Sequence, residues 1–348
     1  MKRVLVCAVQ APFVVGGAEI LTAALALNLK RRGFAVDVAQ VPFKWYPVSE
    51  LLRQALAWRL LDVTESNGEA VDLVIPTKFP SYLVRHPNKL TWLYHQHREA
   101  YDLHGTAFGS FSGRPEDVAV REAIQAMDTK ALSESRRIFT ISKNVARRLQ
   151  HWNGLEAEAL YPPPQHQGLY RSDACGDYLF YAGRLDRLKR VDLLIDALAQ
   201  ADDRVRLKIA GQGPLESELK KQVARLGLQN RVELLGFVSS QDLLALYAGC
   251  RAAAYAPLNE DYGYVTVEAF LSKKPVLTCA DAGGVLEFVE DGRSGVVTAA
   301  NAEDLGRGMR RLYDAGDSAL RDMGEAGFLT VKDISWDHVL DRLTESLR

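Results

Sequence analysis

Two doubly wound α/β domains in tandem are what this sequence predicts, and three observations predict them. Strand-length apolar runs alternate with amphipathic helices along most of the chain; glycine turns stand where the strands end; and a polar, proline-containing stretch interrupts the alternation near the middle, after which it begins again. A length of 348 residues suits two domains of ordinary size.

The apolar run Val4 to Val9 reads as the first strand. A loop from Gln10 to Val15 then delivers Gly16-Gly17-Ala18-Glu19 to a helix carried by Leu21, Leu25, Ala26 and Leu29 and stopped at Gly33. A strand at 35–41 completes a β-α-β opening. Two glycines before a helix start let a ligand approach the backbone, and the helix end favours a phosphate or another anion, although a plain tight turn would use the same residues. Residues 49–62 carry Leu51, Leu52, Leu56, Trp58, Leu60 and Leu61 against a polar face of Glu50, Arg53 and Arg59. That pattern favours a packed helix over one lying on a membrane surface.

Strands at 71–75 and 90–94 follow, the second ending in Tyr94-His95-Gln96-His97. With no cysteine-rich or carboxylate-rich set nearby, these histidines suit hydrogen bonding better than metal binding. A helix at 115–133, a strand at 137–141 and a helix capped by Ser142, with Val145, Leu149 and Trp152 on its inner face, close the first half. Tyr161-Pro162-Pro163-Pro164 opens a linker running to Gly176. The division expected is 1–165, 166–332 and a C-terminal helix, 333–348, that packs back on the first domain.

In the second half, strands at 177–182, 205–210, 231–235, 252–256 and 275–279 alternate with helices, and Gly295-Val296-Val297 adds a last strand signal. Gly183-Arg184 follows the first of these strands and Gly211-Gln212-Gly213-Pro214 the second. Arg184 and Lys189, as a planar fork and a point charge, are placed to meet the same phosphate oxygens. The densest motif runs from Ala256 to Phe270: Glu260 at the carboxyl end of a strand, a turn at Gly263, and Glu268 about two turns into the next helix. Carboxylates are good acceptors for vicinal hydroxyls, so the pair suggests a sugar-bearing ligand. Ala280-Asp281-Ala282-Gly283-Gly284 and a short helix with Glu287 lie beyond.

Composition narrows the function classes. The hydrophobic fraction of 47% and charged fraction of 25% describe a globular protein. No run reaches membrane-spanning length, and the N-terminus leads into a strand without a leader pattern, so a cytoplasmic location is expected. The four scattered cysteines, Cys7, Cys175, Cys250 and Cys279, read as reduced and not metal-binding. Residues 1–165 hold 20 basic against 16 acidic side chains, too small an excess to argue for nucleic acid, though it suits peripheral contact with an anionic inner membrane face or an acidic acceptor.

In order and spacing, Gly16-Gly17-Ala18-Glu19, the strand-end histidines, Gly183-Arg184 with Lys189-Arg190, Gly211-Gln212-Gly213-Pro214, Glu260 with Glu268, and Gly283-Gly284 with Glu287 resemble family 4 retaining glycosyltransferases. The resemblance covers both halves. It implies a GT-B fold, two Rossmann-like domains facing a central cleft, with the acceptor on the first and a nucleotide sugar on the second. By the same resemblance, Glu260 would hold donor-sugar hydroxyls, Glu268 the ribose, and Arg184 and Lys189 the diphosphate. The backbone at Gly16, Gly17 and Gly211 and the segment Tyr262-Gly263-Tyr264-Val265 would approach the donor, and Phe237-Val238 would lie beside the base. Asp281, Gly283 and Gly284 would line the sugar pocket, and His97 in preference to His95 would face the reacting sugar. The activity implied is retaining transfer of a hexose or deoxyhexose from a UDP-, GDP- or dTDP-sugar, without a bound metal or other cofactor. The acceptor would be a glycan, glycolipid or other hydroxyl compound in polysaccharide, lipopolysaccharide or glycoconjugate assembly. Tyr262 and Tyr264 depart from the family pattern and imply a more polar sugar-facing wall; Asn259 has no interpretation from sequence. A GT-B epimerase, a phosphorylase and a non-catalytic sugar-nucleotide-binding protein would share the fold.

Overall fold

The computed structural model describes residues 1–13 and 16–347. Val14 and Val15, the end of the loop read as 10–15, lie outside the described residues, as does Arg348. The chain divides into two compact units, one formed by Met1–Gln165 with Ile334–Arg348 and the other by His166–Asp333.

In the first unit the order is β1 (Arg3–Gln10), α1 (Gly17–Arg31), β2 (Ala35–Pro42), α2 (Glu50–Leu60), a hairpin of β3 (Glu65–Ser66) and β4 (Glu69–Ala70), β5 (Leu73–Pro76), β6 (Leu90–Leu93), α3 (Pro115–Ser133), β7 (Arg137–Thr140), α4 (Lys143–Asn153) and β8 (Glu158–Ala159). Strand β1 pairs in parallel with β2 on one side and β5 on the other, and β6, β7 and β8 form a second parallel set. Bridges at Val74–Lys89 and Lys78–His95 join the sets. The strand order therefore reverses between β1 and β5, where ligand sites gather in doubly wound sheets.

Local chemistry explains these elements. Helix α1 buries Leu21, Leu25 and Leu29 at four-residue spacing and ends on Lys30 and Arg31. Pro115 opens α3, and the Ser142 hydroxyl caps α4 by accepting from the Val145 amide at 3.0 Å. The inner face of α4 carries Val145 and Leu149 as expected and differs at Trp152, which is 37% exposed, whereas Arg148 and Asn153 are buried. Polar groups join the inward side because Arg148 pairs with Asp102 at 3.5 Å and Asn153 donates to Thr129 at 2.7 Å, contacts that apolar periodicity does not register.

In the second unit the order is β9 (Tyr178–Ala182), α5 (Val191–Gln200), β10 (Arg206–Ala210), α6 (Glu216–Arg225), β11 (Val232–Gly236), α7 (Ser240–Gly249), β12 (Ala252–Ala254), α8 (Tyr264–Leu271), β13 (Val276–Cys279), β14 (Gly295–Thr298), α9 (Ala302–Asp314) and α10 (Asp317–Val331). All pairs are parallel and the sheet runs β11-β10-β9-β12-β13-β14, the 3-2-1-4-5-6 order of a dinucleotide-binding fold. The order reverses between β9 and β12. Helices α9 and α10 fall in a stretch for which the sequence suggested no element; α9 buries Leu305, Met309 and Leu312 against this sheet.

Helix α11 (Trp336–Leu343) belongs to the first unit. Arg32 binds Asp337 and Asp341 at 2.7 Å each, Arg342 binds Glu158 at 2.7 Å, and the Trp336 ring meets Trp92 edge-on at 6.2 Å.

Candidate active site

The sequence motifs of the second unit converge on the carboxyl ends of β9 and β12, where the strand order reverses. The chain leaves β9 through Gly183 and Arg184, and the Asp186 carboxylate caps a turn, Arg187–Lys189, by accepting from the Lys189 amide at 3.2 Å. That cap aims the Lys189 ammonium at Glu260, Nζ to Oε2 2.5 Å. The hydroxyl of Tyr255, just beyond β12, donates to the same carboxylate oxygen at 2.9 Å. Lys189 and Glu260 are mostly shielded, so their attraction is little screened by water.

Arg190 fixes the loop behind this pair. Held in a left-handed conformation (φ +48°), it donates to the carbonyls of Ala256 and Pro257 at 2.8 Å each and grips both oxygens of Asp281 at 2.8 and 2.6 Å. Asp281, read from sequence as lining a sugar pocket, is thus engaged in a bidentate ion pair that holds two loops together. The same loops meet backbone to backbone: the Asn259 and Glu260 amides donate to the Asp281 and Ala282 carbonyls, and the Gly284 amide donates to the Glu260 carbonyl at 2.7 Å. A Cβ at Gly284 would lie 2.5 Å from the Asp261 carbonyl oxygen. Asn259 now has an account, since its φ of +43° is one that asparagine tolerates better than most residues.

Gly263 (φ +84°) precedes α8, which starts at Tyr264, so Glu268 is the fifth helical residue, little more than one turn in and not two. Its Oε2 accepts from the Tyr247 hydroxyl at 2.8 Å. Burial pushes its carboxyl up to about 7, against the opposing hydrogen bonds of Tyr247 and Tyr170. The two glutamates therefore differ in kind: Glu260 faces an ammonium, whereas Glu268 sits among phenols near the midpoint of its titration at neutral pH.

Other residues of the motifs are placed as follows. Arg184 is half-exposed and lies 3.8 Å from Asp186, and Lys189 is paired with Glu260. Tyr262 does not make a polar wall; its ring is buried and packs edge-on against Tyr264 at 5.1 Å and Phe288 at 5.8 Å. Val265 is buried beside it. Phe237 is 78% exposed and, with Val238, borders a shallow depression of about 480 Å³. Gly211 (φ +144°) and Gly183 (φ +146°) are pressed together, a Cβ on Gly211 falling 1.8 Å from the Gly183 carbonyl oxygen.

In the first unit, Gly16 precedes α1 in an extended conformation, where a Cβ would lie 3.4 Å from a Glu19 carboxylate oxygen, and Gly17 is the first helical residue. The anion expected at this helix start is supplied by the chain itself. One Glu19 oxygen accepts from the Gly16 amide at 2.9 Å and the other from Lys78 Nζ at 2.8 Å. Burial opposes ionisation of Glu19, but Lys78 and these hydrogen bonds hold its carboxyl below the usual range. His95 Nδ1 lies 2.7 Å from the Gln96 carbonyl. His97 is buried between Phe79 and Phe111, ring centroids 5.5 and 6.0 Å away, and its Nε2 has no hydrogen-bond partner. Burial, helped by His95, lowers its pKa to about 4, so the ring is neutral at physiological pH. Among the described residues no group of three or more His, Cys, Asp or Glu is placed to hold a metal ion, and no helix is long and apolar enough to cross a membrane.

Residues 172–329 match the family described as glycosyl transferases group 1. The second unit is a glycosyl transferases group 1 domain. Over the whole chain, an uncharacterized glycosyltransferase of Methanocaldococcus jannaschii is 24% identical, the match spanning 97% of this chain and 96% of the relative. Other curated relatives at 29–32% identity are matched over 37–58% of their own length. Sucrose-phosphate synthase from Thermosynechococcus elongatus superposes with a TM-score of 0.81 at 17% identity, covering 100% of this chain and 98% of that one. Anabaena HepE, solved in complex with UDP and glucose, gives 0.72 at 20% identity, covering 100% and 99%. The protein is a glycosyltransferase of the GT-B fold. In this glycosyltransferase the sequence motifs missed Tyr255 and Tyr247, which hold Glu260 and Glu268, and included Arg190 without giving it the role of holding the connecting loop. The position of Tyr255, five residues before Glu260 in an apolar run, was a signal; Tyr247 had none.

Proposed function

We propose that this glycosyltransferase moves a sugar from a nucleotide-sugar donor to an acceptor hydroxyl with retention at the anomeric carbon, the donor being held by the second unit. The observation that carries the reading is the Lys189–Glu260 pair, completed by Tyr255, at the point where the strand order reverses. Glu260 accepts from donor-sugar hydroxyls, Lys189 and Arg184 supply positive charge to the diphosphate, and Glu268 accepts from the ribose hydroxyls. Phe237 and Val238 offer an apolar edge to the base. The new carbon–oxygen bond forms on the face from which the nucleotide departs, as the bond from the anomeric carbon to the phosphate oxygen breaks. The acceptor proton passes to that departing oxygen, so the residues position and stabilise without removing a proton themselves. The solved complex of HepE with UDP and glucose supports a uridine nucleotide as the first donor to try.

A thermal-shift panel of UDP-, GDP- and dTDP-sugars tests the reading. The cognate donor at 100 times its dissociation constant stabilises by roughly 2.7 kcal/mol, and product NMR should show the donor's anomeric configuration kept. No stabilisation and no nucleotide release across the panel would remove the proposal.

Glu268 adds a pH dependence. Ribose hydroxyls need the ionised carboxylate, and the free carboxyl titrates near 7. Donor affinity should therefore fall about tenfold from pH 8 to pH 6, a range in which the diester diphosphate of a nucleotide sugar does not titrate. For folding the sign is opposite: with its pKa raised, Glu268 favours the folded state fully below the ordinary carboxylate range and loses that contribution as pH rises through about 7. Calorimetric titration of the donor at several pH values checks this. A slope that persists unchanged in Glu268→Gln assigns it to another group.

A further inference from the structure

Beside the acceptor-side histidine, the first unit has a pocket that no motif and no match accounts for. It lies at the carboxyl ends of β1 and β2, has a volume of about 540 Å³, and is lined by Phe13, Phe43, Trp45 and Tyr46 together with Lys44, Glu50 and Gln54. That volume falls within the range of small-molecule sites, about 300–1,000 Å³. Its aromatic rings are not core residues left partly uncovered: Phe13 and Tyr46 are 106% and 59% exposed and Trp45 is 40% exposed.

The loop carrying Phe43, Trp45 and Tyr46 is fixed. The Gln54 side-chain amide holds both backbone groups of Lys44, its oxygen accepting from the Lys44 amide at 2.8 Å and its nitrogen donating to the Lys44 carbonyl. Trp45 and Tyr46 pack edge-on at 5.4 Å, and the Lys44 ammonium stands 5.1 Å from the Tyr46 ring centre. Glu50, at the first turn of α2, brings a carboxylate to the same wall.

The pocket connects to the candidate site through rings. Phe43 packs edge-on against Phe79 at 6.0 Å, and Phe79 lies 5.5 Å from His97. A ligand resting on Phe43 is thus two ring contacts from the unpartnered Nε2 of His97.

Resting on the reading of the chain as a glycosyltransferase with an acceptor side on its first unit, we propose that this pocket binds a pyranose unit of a glycan acceptor, with the Trp45 and Tyr46 rings against its C–H face and Glu50 and Lys44 on its hydroxyls. A pyranose has both surfaces: axial C–H bonds that lie on an aromatic face and equatorial hydroxyls that donate to a carboxylate. An acyl chain matches the rings but strips water from Glu50 and Lys44 without replacing its hydrogen bonds, which costs free energy. The presence of charged groups among the rings is what selects a sugar over a lipid tail.

The test uses the full chain on an array of immobilised oligosaccharides, with phosphatidylglycerol vesicles as a separate arm and the nucleotide-sugar panel run on the same samples. One or more oligosaccharides should bind, and Trp45→Ala and Tyr46→Ala should each weaken that binding by about tenfold while leaving nucleotide-sugar binding unchanged. Trp45→Phe, which keeps a stacking face, should retain most of the affinity and guards against a loss through misfolding. Absence of any bound oligosaccharide, equal binding by the Ala variants, or an effect of these variants on vesicle binding alone overturns the proposal. Loss of the donor response in the unmodified chain would instead indict the glycosyltransferase reading on which the proposal rests.

Discussion

Replacing Glu260 by alanine is expected to lower kcat/KM by about 100- to 1,000-fold, the size found when a group that stabilises the reacting state is removed from a shielded site. The argument is local. Glu260 is the shared acceptor of Lys189 and Tyr255, and without it the ammonium loses the partner that orients it. The backbone of the loop does not depend on the side chain, because it is held by the Glu260 amide on Ala282, the Gly284 amide on the Glu260 carbonyl, and Arg190 on Ala256 and Pro257. Circular dichroism and the unfolding midpoint should therefore stay close to those of the unmodified protein while turnover collapses. Activity within about threefold of the original, with the fold intact, would show that Glu260 is structural and would take the proposed donor site with it.

The largest stability effect is expected at Gly211→Ala, a loss of about 3–5 kcal/mol. Two causes act together. A φ of +144° is one that a side chain rarely adopts, and the new methyl would sit 1.8 Å from the Gly183 carbonyl oxygen, so β9 and β10 must separate at their carboxyl ends. Gly227→Ala is the control: its φ is also positive, at +68°, but a Cβ there meets nothing within 4 Å, so it should cost only about 1–2 kcal/mol. Urea unfolding of both variants measures the difference. Equal losses at the two positions would mean that crowding at Gly211 is relieved by easy backbone movement.

Much of this was legible in the residues themselves. The strands and most helices follow apolar periodicity, and the strand-loop-helix order around Glu260 was marked by the turn at Gly263. What escaped was whatever depends on partners distant in sequence. Lys89 adjoins β6, a strand read as apolar, yet it is fully buried, donating to the carbonyls of Tyr82, Val84 and Ala131, and burial lowers its pKa to about 8. Nothing adjacent to Lys89 foretells three carbonyls converging on it. The same limit explains Asp281, to which the family resemblance gave a place in the sugar pocket while its partner, Arg190, lies 91 positions away. It explains Glu19 too, where the glycines announced an anion site but not that the chain would fill it. Spacing identifies which groups carry charge; the fold decides which charges are already answered.

The return of α11 to the first unit bears on how the polypeptide can be cut. Residues 166–333 are continuous and include every strand of one sheet, so that portion is covalently an insert whose two ends both open into its neighbour. The remainder is split. A fragment ending at 165 keeps its strands but leaves Arg32, Trp92 and Glu158 facing the place where Asp337, Asp341, Trp336 and Arg342 belong. Dissection of the enzyme therefore has a natural product on one side only, and the first unit becomes a single folded piece only when 1–165 is rejoined to 334–348 by a short artificial link.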